Sequence, residues 1–318
     1  MMTLVMSTMI TLSSNNWISM WIGLEINMMS FIPLILNKIN KSSSEAALIY
    51  FLIQSVSSMI MMMMIFITMC NYLIPKKLIT CMIMISIIIK LGAAPFHNWL
   101  PKIMSQMEWS KCCILMTWQK IAPLFMISNL NNNLLMNLII ISSVSIGSLG
   151  GLNQTSLRKM MAYSSINHLG WMLAINKTMN LWLMYLIIYS MMINSLCFML
   201  HNYKLNFINQ INSLNMTNTE KMGFFISMLS MGGMPPLIGF LPKWITIQSM
   251  MYIKEYFLIF IMIMFSLVTL MYYLRLMTYM FLTYNMSMKW SKNYYMKTIN
   301  IIMIINCSLP MILIMDNF

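Results

Sequence analysis

Four charged side chains inside or at the end of long apolar stretches of this sequence are candidates for proton transfer. They are Glu25, Lys90, Lys120 and Lys243. A charge at the centre of a bilayer costs about 2.5 to 3.5 kcal/mol on insertion scales, so such residues usually face a wet interior and mark an ion or proton path. Lysine changes its charge state more readily than arginine when it is desolvated. A carboxylate with a row of lysines is therefore suited to passing protons.

Each of these residues also has an interpretation in which it is only structural. Glu25 and Lys90 have opposite charges and could form a static pair that fixes helix packing. Lys243 follows Pro242 and could extend its ammonium group to the membrane surface. Lys120 stands in the middle of its apolar run without an evident acidic partner, so its structural interpretation is the weakest.

Two histidines are candidate relays beside the charged residues. His97 and His168 lie in or beside apolar runs, where they could exchange protons near neutral pH. A single histidine in such a place is also commonly a hydrogen-bonded core residue, so both interpretations stay open.

The sequence contains no motif for chemistry on a bound substrate or metal. It has no Gly-rich nucleotide loop and no nucleophile with a positioned base. The six cysteines have no CxxC spacing, and we interpret them as small apolar fillers within helices rather than as metal ligands or disulfide partners. They are Cys70, Cys81, Cys112, Cys113, Cys197 and Cys307. We expect the chain to move charge with no cofactor, metal or redox centre of its own.

The composition predicts a multi-spanning α-helical membrane protein. Of 318 residues, 60% are hydrophobic and 8% are charged, and no soluble domain fits between the apolar runs. The net charge of +13 does not indicate nucleic-acid binding, because the lysines stand singly between runs. The 46 methionines and the abundant Ile, Asn, Lys and Tyr suggest A+T-rich codons and more than one Met codon. We therefore expect an organelle-encoded protein, without an import or signal peptide at its start.

Hydropathy predicts eleven spans. They cover residues 2–12, 17–36, 45–70, 78–94, 112–130, 134–149, 156–175, 181–200, 222–241, 256–282 and 298–315. The first would reach only roughly 16 Å, against about 30 Å of hydrocarbon. Ser42 to Glu45 are expected to open the third span as a capping box, in which Glu45 satisfies free N–H groups.

A short motif interrupts two of these spans. Residues 92–102 (GAAPFHNWLPK) and 233–243 (GMPPLIGFLPK) share the pattern G-x-x-P-x-x-x-aromatic-L-P-K. Paired interruptions at matching places in two halves are typical of transporters with inverted repeats. Because the broken spans are the fourth and the ninth, the two copies cross the membrane in opposite directions. We predict an all-α fold with a first inverted repeat (1–130), a second inverted repeat (131–282) and a C-terminal helix (283–318).

Loop charges predict the orientation of the chain. Links after even-numbered spans carry 11 positive charges and links after odd-numbered spans carry 4, so the even side is expected to be the inner compartment, with the N-terminus inside and the C-terminus outside. The larger group is Lys38, Lys41, Lys102, Lys111, Arg158, Lys159, Lys204, Lys221, Lys289, Lys292 and Lys297, and the smaller is Lys76, Lys77, Lys177 and Lys254.

Six motifs, in collinear order over nearly the whole chain, form a specific set. They are WIGLEIN around Glu25, KLGAAPFH from Lys90, TWQKIAP around Lys120, GGLNQT from Gly150, AYSSINHLG around His168 and GFLPKW around Lys243. As a set they resemble the antiporter-like, proton-pumping membrane subunits of mitochondrial NADH-ubiquinone oxidoreductase, respiratory complex I, and the composition is insect-like.

The resemblance implies a role for each charged residue. Glu25 and Lys90 would form the family's Glu–Lys pair, Lys120 would be its central membrane lysine, and Lys243 would be the lysine of the second half-channel. In the duplicated motif Lys243 aligns with Lys102 rather than with Lys90. The two halves therefore cannot use their lysines symmetrically.

The resemblance also implies a location and partners. The chain would couple electron transfer from NADH to ubiquinone to proton pumping across the mitochondrial inner membrane. It would lie among other membrane-arm subunits and lipid, while NADH, FMN, iron–sulfur clusters and ubiquinone would be bound on other subunits. Relative to bacterial members it would lack three N-terminal helices.

Two functions of other classes fit the same composition. A self-standing cation/proton antiporter would hold its cation with carboxylates at mid-membrane, and of these the spans offer Glu25. A non-pumping membrane scaffold would keep its charge pairs frozen.

Overall fold

The computed structural model describes residues 1–36, 40–70, 75–130, 133–178, 181–212, 217–282 and 296–309. Over these ranges the chain forms helices, together with one isolated bridge between Ser156 and Phe207. The predicted all-α class is confirmed. The end of the last predicted span, 310–315, and the loop residues Lys38, Lys289 and Lys292 lie outside the described residues.

The helices follow the predicted apolar runs. In chain order they are α1 (Met2–Ser13), α2 (Trp17–Ile35), α3 (Lys41–Met69), α4 (Lys76–Leu91), α5 (Trp99–Gln106), α6 (Trp109–Met116), a 3-10 turn (Trp118–Lys120), α7 (Ile121–Ser128), α8 (Asn133–Leu152), α9 (Leu157–Thr178), α10 (Trp182–Asn202), α11 (Ile208–Asn212), α12 (Asn218–Gly232), α13 (Phe240–Tyr252), α14 (Tyr256–Leu282) and α15 (Met296–Asn306). Within the described ranges α2, α3, α8, α10 and α14 are each long and apolar enough to cross a bilayer.

Large apolar side chains lie both inside and outside the helix bundle. A continuous core includes Phe31, Ile87 and Trp171, which are at most 1% exposed. The outer surface also carries apolar side chains, such as Leu134 at 81% and Phe257 at 73% exposure. Lipid tails are as apolar as these side chains, so an outer surface of this kind is stable in a membrane. In water it would favour aggregation.

Small residues on α8 bring three helices into close contact. A Cβ atom at Gly147 would lie 2.6 Å from the backbone nitrogen of Asn167 on α9, and one at Gly151 would lie 2.8 Å from the Tyr272 ring on α14. Small residues at such positions let helices approach closely in a membrane. Helix α8 therefore packs closely against both α9, which carries His168, and α14.

The third helix begins at Lys41 and not at Glu45. Asn40 precedes it, and the Asn40 N–H donates to Ser43 Oγ at 3.1 Å. Asparagine caps helix N-termini as well as serine does, so the capping box forms between Asn40 and Ser43, two residues earlier than predicted. Glu45 accepts a hydrogen bond from Gln106 Nε2 at 3.1 Å. The predicted capping role of Glu45 is therefore wrong, although its role remains structural.

The predicted fifth span is divided at Lys120. Helix α6 ends at Met116, and a single 3-10 turn leads into α7. Pro123 has no N–H to donate to Gln119 O, and its ring clashes with that carbonyl in a regular helix. The change of helix type therefore places Lys120 at an irregular point of the span.

Candidate functional site

The two copies of the motif break their helices in the same way. Helix α4 ends at Gly92 (φ 69°) and α12 ends at Gly233 (φ 77°), both in the left-handed conformation that favours glycine. Each glycine N–H donates back to two carbonyls of its own helix, Ile88 and Ile89 in the first copy and Leu229 and Ser230 in the second. The chain becomes helical again at Trp99 and Phe240, which are aligned positions of the motif.

Glu25 and Lys90 form an ion pair between α2 and α4. Lys90 Nζ lies 3.7 Å from Glu25 Oε1, which is longer than a hydrogen bond and leaves an electrostatic contact. The side chain of Lys90 is 3% exposed and that of Glu25 is 22% exposed. The ammonium group is therefore shielded from the surroundings of the protein, whereas the carboxylate is partly accessible.

Neutral side chains cap the first break. Gln54 Nε2 on α3 donates to Lys90 O at 3.2 Å, and Trp99 Nε1 donates to Ile89 O at 3.2 Å. Where the helix stops, these carbonyls lose the i+4 N–H partner of a regular α-helix, and in a membrane they need other donors inside the protein. Lys90 thus presents its carbonyl to α3 and its ammonium group to α2.

A small cavity of about 20 Å³ lies between Lys90 and Lys120. A volume of roughly 10 to 15 Å³ on this measure holds one water molecule. Its polar lining consists of Asn27, Tyr50, Gln54, Lys90, Gln119 and Lys120. Gln119 donates to Asn27 Oδ1 at 3.1 Å and accepts from the Tyr50 hydroxyl at 3.3 Å. Hydrogen-bonding groups therefore run between the two lysines through an otherwise apolar interior.

Lys120 is buried without a carboxylate partner in the described part of the chain. Its Nζ donates to Ser165 O on α9 at 3.1 Å and lies 5.1 Å from the centre of the Tyr189 ring on α10. A backbone carbonyl and a ring face stabilise a cation without balancing its charge. The protonation of Lys120 is therefore sensitive to other charges around it.

His168 connects Lys120 to the second break. Its Nδ1 is 2.9 Å from the Tyr185 hydroxyl, and its ring also lies close to the backbone of Met231, at the end of α12. The ring lies 4.9 Å from that of Tyr189, which Lys120 also contacts. Lys120 and Lys243 are both close enough to act on His168 electrostatically.

Lys243 caps the second break with a cation. Its Nζ donates to Gly232 O at 2.7 Å and lies 5.7 Å from the Trp171 ring. The C-terminal end of a helix carries partial negative charge, so the position at the end of α12 favours an ammonium group. Lys243 is 4% exposed. The interpretation in which it extends to the membrane surface is therefore wrong.

Comparison with known proteins identifies the family. The sequence model described as NADH:quinone oxidoreductase/Mrp antiporter, transmembrane, matches residues 14–269. NADH-ubiquinone oxidoreductase chain 2 of Anopheles gambiae is 47% identical over 281 residues, and that of Locusta migratoria is 43% identical over 280 residues. Each match covers 86% of this chain and 82% of the relative. The chain belongs to the NADH-ubiquinone oxidoreductase chain 2 family.

A solved structure shares the fold of this chain 2 family member. A chain of respiratory complex I from Thermus thermophilus with bound Aureothin matches it with a TM-score of 0.82 at 19% identity. The match covers 95% of this chain and 74% of that chain. The predicted resemblance is confirmed, and the chain is a multi-pass protein of the mitochondrial inner membrane.

Not every residue predicted for a chain 2 protein joins the cluster. His97 lies in the first break, half-buried, with Nδ1 3.2 Å from Pro95 O and its ring 6.3 Å from that of Tyr163. It does not line the cavity between Lys90 and Lys120. Contacts and shared neighbours connect Glu25, Lys90, Lys120, His168 and Lys243 in that order, and His97 is not among them.

The sequence analysis missed the neutral polar partners of the chain 2 lysines. Gln54 is a buried amide in the 29-residue helix α3, and a polar side chain at that depth was a usable signal. Asn27 and Gln119 stand inside motifs that were quoted for their charged members. No local pattern distinguished the tyrosines that contact Lys120 and His168 from ordinary core residues.

Proposed function

We propose that this chain carries protons across the mitochondrial inner membrane as a subunit of NADH:ubiquinone oxidoreductase. The path runs from Glu25 and Lys90 through the polar cavity to Lys120, and then past His168 to Lys243. The observation that carries the proposal is the cavity, because it joins two buried lysines by hydrogen-bonding groups in an apolar interior. Inserting a lysine without a counter-ion into the membrane interior costs free energy, and residues of this kind usually have a function.

The ion pair is the input of the path. At 3.7 Å the contact of Lys90 with Glu25 is already long, so a small movement of α2 or α4 changes how strongly the carboxylate offsets the ammonium charge. When that offset weakens, the Lys90 charge acts across the cavity on Lys120. Because two cations repel strongly where the dielectric constant is low, Lys120 then releases its proton.

The change of charge at Lys120 affects the protonation of Lys243 at the second break. The loss of a positive charge at Lys120 removes a repulsion that acts on His168 and, behind it, on Lys243. Lys243 can then hold its proton more firmly against Gly232 O. His168 stands between the two lysines, which supports a relay role for it. His97 has no such position and stays a secondary candidate.

The energy for transport has to come from elsewhere in the complex. Moving one charge against 100 mV requires about 2.3 kcal/mol. Electron transfer from NADH to ubiquinone supplies it in our proposal, with NADH, FMN, iron–sulfur clusters and ubiquinone held by other subunits. The motion of α2 or α4 would be imposed by neighbouring membrane-arm subunits.

The proposed topology has eleven spans, with inverted repeats over 1–130 and 131–282 and a C-terminal helix over 283–318. Support comes from the two breaks, whose glycines share one conformation and one pattern of backbone hydrogen bonds. The excess of loop lysines after even-numbered spans favours an N-terminus in the matrix and a C-terminus in the intermembrane space.

Lys120→Met tests the function. Methionine keeps the volume and removes the charge, so we expect proton pumping per NADH in inner-membrane vesicles to fall by roughly tenfold or more. Lys102→Met is the matched control, because Lys102 belongs to the duplicated motif but is exposed. Unchanged pumping per electron in Lys120→Met would remove this lysine from the mechanism.

The self-standing antiporter is the second candidate, because the matching family model also covers Mrp antiporters. It predicts cation/proton exchange by the purified chain in liposomes, and our proposal predicts none. A frozen scaffold predicts that Glu25→Gln leaves pumping intact and lowers only the amount of assembled complex. Our proposal expects Glu25→Gln to reduce pumping in whatever complex assembles.

A further inference from the structure

Two cysteines from different helices meet at a place that the proton path does not use. Cys113 on α6 donates a hydrogen bond to Asn194 Oδ1 on α10 at 2.6 Å. The Cys113 thiol also interacts with that of Cys197, which lies one turn beyond Asn194 on α10. Both thiols line the same groove between two helices that pack side by side.

A groove gives access to this pair from outside the bundle. It has a volume of about 310 Å³ and is lined by both cysteines together with Thr117, Trp118, Asn194 and His201. Cys113 is half-buried, and Cys197 is 4% exposed behind it. A small reagent therefore reaches Cys113 first and finds Cys197 next to it.

The adjacent cysteine provides a natural comparison. Cys112 is fully buried, and its sulfur lies 3.6 Å from Met104 O and 3.8 Å from Met107 O. It lines no part of the groove. The chain thus places an inaccessible thiol directly beside an accessible one.

We propose that Cys113 and Cys197 form a dithiol modification site that a peroxide converts into a disulfide. The Cys113 sulfur attacks the peroxide, an S–O bond forms, the O–O bond breaks, and one water leaves. The Cys197 sulfur then attacks the Cys113 sulfur, the S–S bond forms, the S–O bond breaks, and a second water leaves. The two thiols lose two electrons and two protons in total, and the peroxide is reduced to water. Because the two thiols line one groove between packed helices, side-chain rotations can bring the sulfurs to the S–S length of about 2.05 Å.

The position of the pair suggests what the disulfide does. Helix α6 ends at Met116 and leads directly into the turn that holds Lys120, while α10 carries Tyr189, whose ring contacts that lysine. A bridge between α6 and α10 would hold these helices at a fixed distance. The expected loss of pumping on oxidation depends on the function proposed above, whereas formation of the disulfide does not.

The test uses the intact respiratory complex in native membranes. Membranes are treated with hydrogen peroxide, free thiols are blocked with N-ethylmaleimide, and peptides are analysed by mass spectrometry. We expect a peptide pair linked through Cys113 and Cys197 that disappears after dithiothreitol, while Cys112 stays a thiol. Pretreatment with phenylarsine oxide, which bridges closely spaced dithiols with loss of one water, should prevent the link. Free Cys113 and Cys197 after peroxide, or Cys113 oxidised alone, would overturn the proposal.

Two variants separate the site from general oxidation. Cys197→Ser should abolish the linked peptide and leave Cys113 at the sulfenic-acid stage after peroxide, whereas Cys112→Ser should leave the link unchanged. A link that persists in Cys197→Ser through another cysteine would contradict the assignment. If the link forms but pumping is unaffected, the site stands and its proposed effect on Lys120 is wrong.

Discussion

The two helix breaks have the same backbone conformation and are capped by different chemistry. At the first, amide and indole N–H groups from Gln54 and Trp99 bond the freed carbonyls. At the second, the ammonium of Lys243 bonds the Gly232 carbonyl, and the ring of His168 lies close to the preceding residue. Protonation therefore cannot alter the caps of the first break, but it can alter the cap of the second.

This difference assigns different tasks to the two halves. In the first half the titratable group Lys90 points away from the break towards Glu25, so its charge can change while the break keeps its shape. In the second half the lysine is part of the break, and a cation at the end of a helix is worth about 0.3 to 1 kcal/mol, or up to about 2 when partly buried. A change of charge at Lys243 therefore acts directly on the end of α12.

The largest predicted effect comes from the two aligned lysines of the motif. Lys243→Met removes the cap of Gly232 O and the last titratable group of the path, so we expect pumping per NADH to fall by roughly tenfold or more. Lys102→Met should leave it within experimental error, because Lys102 is exposed. Proton uptake by inner-membrane vesicles measures both. Equal losses in the two variants would mean that the halves are used symmetrically after all.

Hydropathy alone predicted most of the fold, and the reasons for its errors are physical. Helix α14 has the predicted bounds because both ends of its apolar run are sharp. The start of α3 was missed because two good N-caps, Asn40 and Ser42, stand close together. The division between α6 and α7 was missed because hydrophobicity does not report helix pitch, and Pro123 was the only sign of it.

The candidate site could be predicted only in its charged members. Charges in apolar runs are rare, so Glu25, Lys90 and Lys120 were visible as single residues. Their neutral partners come from distant parts of the chain and are recognisable only once the helices are packed. The burial of Lys243 follows from the chain turning back at the break, which brings its ammonium group to Gly232 O. The motif predicted the break but did not predict that contact.

The second-largest predicted effect concerns Gly92 and Gly233, the glycines at which the two helices break. Alanine in a left-handed conformation costs roughly 1 to 2 kcal/mol. At Gly92 the new Cβ would also lie 2.9 Å from the rigid Trp99 ring, whereas at Gly233 it would lie 2.7 Å from the flexible end of Lys243. We expect Gly92→Ala to lower the thermal stability of the assembled complex more, and Gly233→Ala to lower pumping more because Lys243 has to move. Thermal inactivation and pumping assays on the same membranes measure both.

A reversed order, with Gly233→Ala the less stable variant and pumping lost in Gly92→Ala, would contradict the division of tasks. Identical behaviour of the two variants would show that the caps do not matter and that only the backbone conformation does. Gly147→Ala is a control outside both breaks. Its Cβ would lie 2.6 Å from the backbone of Asn167. Gly147→Ala should therefore destabilise helix packing without a specific effect on either break.

The smallest effect concerns the neutral cap of the first break. Gln54→Met keeps the length of the side chain and removes the donor to Lys90 O, so it should cost about 1 kcal/mol, the usual net value of such a hydrogen bond. Gln54 carries no charge, the ion pair with Glu25 remains, and the cavity keeps its other polar groups. Pumping per NADH in the complex that assembles should therefore fall much less than in Lys243→Met. Gln106→Met, which removes a donor to Glu45 at an exposed contact, should change stability by less than about 0.5 kcal/mol. A loss of pumping in Gln54→Met as large as that in Lys243→Met would mean that the first break also takes part in proton transfer, and that a neutral amide can carry the coupling that we assign to a lysine.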